Sequence, residues 1–75
     1  MNSKERKVLA VVYDCLCRIA SLYPSNPADL ERKVRYLDTI HAASEPLMQA
    51  VSNLGYGDTE EASQDANQAL ETLSR

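Results

Sequence analysis

PADLERKVRYLDTIHAASEPLMQAVSNL, residues 27–54, is the longest stretch of the chain that reads as one kind of structure. Leu30, Val34, Leu37, Met48 and Val51 recur at helical spacing, with His41 and Ser44 filling the two gaps in that row. Tyr36, Ile40, Ala43, Leu47, Ala50 and Leu54 make a second row beside it. Two adjacent rows form a face too wide for one contact seam, so this helix is expected to touch neighbours on two sides.

The flanking segments read as shorter helices. Asn2 is placed to cap a helix over about 3–22, with Glu5 at capping-box spacing. Val8, Val12, Cys15, Ile19 and Leu22 form its inner row, and Leu9, Leu16, Ala20 and Tyr23 a second one. Pro24 cannot continue that helix. Asn26 and Pro27 then suit the cap and first position of a helix running to about 54.

Pro46 removes one helical hydrogen bond and predicts a kink near Ser44 in an otherwise single helix. Gly55 suits the left-handed position that closes a helix. Asp58 with Glu61 repeats the capping-box spacing for a third helix over about 59–73. Only Leu70 and Leu73 on its apolar side are large, so this helix is expected to bury little and to be frayed or ordered against a partner.

The fold expected is therefore all-α in one small domain: an antiparallel hairpin of the first two helices plus a shorter third. Folding at Ser25 would set Arg18 beside Glu31 and Lys4 near Glu45. A chain of 75 residues buries a marginal core alone. Cys15 and Cys17 diverge by about 200° on a helix and are poorly placed to bond each other. Association into a dimeric helical bundle is the remaining route to stability.

Charge is uneven. Lys4, Arg6, Lys7 and Arg18 outweigh Glu5 and Asp14 at the start, while Asp58, Glu60, Glu61, Asp65 and Glu71 outweigh Arg75 at the end. The longest apolar run, Val8–Tyr13, is far short of the ~20 residues a bilayer demands. Asp14 and Arg18 interrupt the pattern of a signal peptide, and free thiols suit a reducing compartment. A cytoplasmic protein is expected.

No motif for catalysis, metal or cofactor stands out, and the chain is not expected to be an enzyme. His41, the lone histidine, falls on a row read as core-facing. It reads as a buried or half-buried histidine bonded to a serine or carbonyl, or as a register-setting polar pair with Ser44 between chains. A general base would require positioned partners that the spacing does not supply. Cys15 and Cys17 with one histidine do not make a tetrahedral zinc set. The acidic cluster lacks the glycine and glutamate positions of a calcium loop.

The expected function is non-enzymatic protein binding, as a small adaptor or inhibitor occupying a partner's surface. Leu37, Ile40, His41, Met48 and Val51 are expected to hold a homodimer. Tyr13, Tyr36, Glu60, Glu61 and Asp65 are expected to meet the other protein, tyrosine being suited to the boundary between core and water. Two rival readings remain. A small ligand or nucleotide could sit between subunits on Arg32, Lys33, Arg35 and a tyrosine. A nucleic-acid accessory role would use the basic groups at Lys4–Lys7 and Arg32–Arg35, against an acidic total.

Overall fold

The computed structural model describes residues 1–26 and 28–75. Among them all regular structure is helical: α1 Ser3–Ser21, α2 Leu30–Gly55 and α3 Thr59–Leu73. Asn2 caps α1 with a full capping box. Its side chain accepts from the Glu5 N–H at 2.9 Å, and the Glu5 carboxylate accepts from the Asn2 N–H at 3.4 Å.

The start of α2 differs from expectation. The Asn26 side chain accepts from the Ala28 N–H at 3.0 Å and so belongs to a turn. Asp29 caps the helix instead, accepting from the Arg32 N–H at 3.1 Å. The expected role of Pro27 at the first helical position lies outside the described residues.

Pro46 does not split α2. Its ring is buried on the side that carries Ala43, Leu47 and Ala50. The carbonyl it orphans belongs to Ala42, an exposed residue, which is where an unpaired backbone acceptor is tolerated. The Ser44 hydroxyl donates to the His41 carbonyl at 3.0 Å.

Gly57, rather than Gly55, closes α2. It takes φ +81°, with the Asp58 N–H donating to the Asn53 carbonyl at 2.9 Å and the Gly57 N–H to that of Leu54 at 3.1 Å. These are the two bonds of a Schellman motif with glycine at the left-handed position. They also use the Asp58 N–H, so Asp58 caps α3 through the Glu61 N–H at 3.1 Å without the reciprocal half of a capping box.

The third helix carries the main correction. It makes the most extensive contact in the molecule, with α2, and also packs on α1, while α1 and α2 touch each other least. The core joins Val8, Val12 and Cys15 of α1, Ala43, Leu47 and Ala50 of α2, and Ala62, Ala66, Ala69 and Leu73 of α3. The small residues that suggested weak burial instead admit close approach. The Cys15 thiol reaches the Ala66 backbone carbonyl at 3.8 Å, and Asn53 bonds Asp65 across α2 and α3 at 2.8 Å.

Neither ion pair expected between α1 and α2 occurs among the described residues. Arg18 pairs with Asp14 at 3.3 Å and Arg35 with Glu31 at 3.1 Å, each within its own helix. The start of α1 lies beside that of α3, where Lys4, Lys7 and Val8 share a surface hollow with Thr59, Glu60 and Ser63. The particle is elongated, 44 × 19 × 17 Å with a radius of gyration of 13.5 Å, against about 11 Å for a compact domain of this length.

Candidate protein-interaction face

Helical spacing puts both apolar rows of α2 to use, but on opposite accounts. Ala43, Leu47 and Ala50 of the second row enter the core. The first row faces solvent: Leu30 is 72% exposed, Val34 57%, Leu37 62%, Met48 71% and Val51 55%. These side chains lie on one side of a single helix in two apolar groups, Leu30–Leu37 and Met48–Val51, with His41 and Ser44 between them, so their exposure is aligned on one face rather than scattered singly.

The face has relief. Beside the second half of α2, Val12 and Leu16 of α1 with Leu47, Met48, Val51 and Ser52 of α2 line an open groove of about 440 Å³. It exists because α1 and α2 are held apart by their shared contact with α3. The groove wall is almost wholly hydrocarbon, and Leu16 is a contributor that the reading of α2 alone does not reveal. Its signal in the sequence is the second row of α1, which runs Leu9, Leu16, Ala20 and Tyr23.

His41 occupies the middle of the exposed row and is itself exposed, which overturns its reading as a buried histidine. The row read as core-facing is the outward one in the single chain. Ile40 is half-buried at its margin. Leu37, His41, Met48 and Val51, with Ile40 at the edge, are thus brought onto one surface.

The residues expected to meet another protein do not form one patch. Tyr13 is exposed on α1. Tyr36 is half-buried and packs edge-on against Tyr23, ring centroids 5.4 Å apart. Glu60 and Glu61 are exposed on the first turn of α3, whereas Asp65 is engaged by Asn53.

A second hollow, of about 420 Å³, is lined by Ser21–Ser25 together with Arg32, Arg35, Tyr36 and Thr39. Arg32 and Arg35 already pair with Asp29 and Glu31, so the hollow offers an anion no unpaired guanidinium. Lys33 does not line it.

Burial pushes the Cys15 thiol above its ordinary value, with the Asp14 carboxylate adding to the shift. Cys17 is exposed, and both thiols are free. Among the described residues no cluster of histidine, cysteine and carboxylate side chains is arranged to hold a metal ion, and no helix is long and apolar enough to cross a membrane. In comparisons with family models, with curated proteins and with solved structures, nothing matches the chain.

Proposed function

We propose that the chain is a non-enzymatic protein-interaction module that pairs with itself through the outward face of α2 and in that form occupies a surface of another protein, as a small adaptor or inhibitor does. The observation that carries this is the exposed row Leu30, Val34, Leu37, Met48 and Val51. Completing their burial is worth about 1–2 kcal/mol each. A single copy contributes on the order of 5–10 kcal/mol of that kind, comparable to the 4–15 kcal/mol that association costs. Two copies facing each other double the gain for one association cost. Self-pairing is therefore the economical way to cover this face.

In such a pair Leu37, Ile40, His41, Met48 and Val51 lie at the dimer interface, the antiparallel α1–α2 hairpin of each copy contributing to a helical bundle. Tyr13 and the acidic first turn of α3 stay outside, available to a third surface with basic character. Tyr36 and Asp65 contribute less, since each already has a partner within the chain.

Light scattering with the double variant L37E/M48E tests the reading. The wild type is expected at twice the mass of one chain, and L37E/M48E at one, with unchanged helical circular dichroism because both positions are exposed. Equal masses for the two proteins would remove the support for the face.

A further inference from the structure

We infer that the groove between α1 and α2 is filled by Leu30 and Val34 of a second copy, the two α2 helices running antiparallel about a two-fold axis at His41. The inference rests on the self-pairing reading above and adds its register and its occupant.

The exposed row is nearly symmetric about its polar centre. Val34 and Met48 lie seven positions on either side of His41, and Leu30 and Val51 lie eleven and ten. An antiparallel two-fold thus sets Leu30 against the second copy's Val51 and Val34 against its Met48. A parallel pairing would stack Leu30 on Leu30 and leave both grooves without a ridge. The two ends of the face also differ in the complementary sense. Met48 and Val51 wall the groove, whereas none of the groove's lining comes from Leu30, Val34 or Leu37. One end is ridge and the other is hollow, so a two-fold rotation engages both ends at once.

The area is sufficient. Leu16, Leu30, Val34, Leu37, Met48 and Val51 are 49–72% exposed, and at the area equivalent of side-chain burial they offer on the order of 500 Å² of apolar surface. Homodimer interfaces are about 65% apolar, so covering it implies about 800 Å² per copy, the size of a standard stable interface. The register has one electrostatic consequence. Asp38 and Glu45 border the row on the same side, and the two-fold brings Asp38 towards the second copy's Glu45. Salt screens that like-charge contact and tightens the pair, whereas a foreign partner with basic flanks would be loosened by salt.

Single-cysteine variants on a Cys17→Ser background test the register, since Cys15 is buried and stays unreactive. His41→Cys is expected to oxidise to a 41–41 disulfide dimer as its main product. Leu30→Cys mixed with Val51→Cys is expected to give the 30–51 product. Leu30→Cys alone is expected to give none, because its copies lie roughly 30 Å apart. If the wild type has the mass of two chains and L37E/M48E of one, but Leu30→Cys crosslinks to itself or His41→Cys does not, this register is overturned and the self-pairing reading stands. A wild type with one chain's mass, unmoved by L37E/M48E, overturns both.

Discussion

Asn53 on α2 donates its side-chain N–H to the Asp65 carboxylate on α3 at 2.8 Å, in a partly buried position one turn from the reversal between the helices. The bond fixes the register of the most extensive helix contact in the molecule. A charge-assisted hydrogen bond of this kind contributes about 1.5–3 kcal/mol, discounted here for partial exposure. Asn53→Ala is expected to cost about 1–2 kcal/mol, read as a lower urea midpoint with an unchanged slope. A midpoint within experimental error of the wild type would mean that the register is held by the apolar contacts alone.

The small residues of α3 set a second expectation. Ala62, Ala66 and Ala69 have no exposed surface, and Ala66 offers its carbonyl to the Cys15 thiol. Ala66→Leu should force the helices apart and cost about 1–3 kcal/mol. Thermal melts of this variant beside Gln68→Leu, an exposed position on the same helix, separate overpacking from a general effect of leucine.

The two glycines predict opposite signs. Gly57 sits at φ +81°, a region L side chains rarely adopt, although its surroundings are open. Gly57→Ala is expected to lose about 1 kcal/mol from backbone strain. Gly55 is the last residue of α2, with open space where a Cβ would sit, and Gly55→Ala should gain up to about 1 kcal/mol. Matched denaturation curves check both.

The sequence makes α1 and its capping box legible, because Asn2 and Glu5 act through local bonds that need no tertiary partner. The closure of α2 is less so: Gly55 and Gly57 are both glycines at the right distance, and only the turn geometry chooses between them. The cap of α2 turns on a similar competition, which Asp29 wins once Asn26 is engaged by Ala28. The largest misreading concerns faces. Leu30, Leu37 and Met48 outweigh Ala43 and Ala50 in hydrophobicity, so the outer row reads as the inner one. What the fold selects for intrachain contact is the row whose small residues admit α3. Hydropathy ranks residues by size, and helix approach ranks them in reverse.

Burial of Cys15 links stability to alkaline pH. Desolvation raises its thiol above the ordinary 9.0, so above that value the unfolded chain releases a proton that the folded chain keeps. The contribution is complete below pH 9 and is lost as pH rises through the folded value. Urea midpoints for the wild type should therefore fall between neutral pH and pH above 9 more steeply than those of Cys15→Ala. Parallel slopes would contradict a role for Cys15 in the alkaline loss.

The central claim is that the outward face of α2 is covered in solution, and the two methionines report on it directly. Met48, at the groove end of the face, and Met1, at the chain start, are 71% and 72% exposed in the single chain, so peroxide should oxidise them at similar rates when the chain is alone. At concentrations where copies pair, Met48 is expected to oxidise several-fold more slowly than Met1, with the difference vanishing on dilution or in the Leu37→Glu variant. Equal rates for Met1 and Met48 at every concentration, followed by mass spectrometry of the proteolytic peptides, would contradict the account.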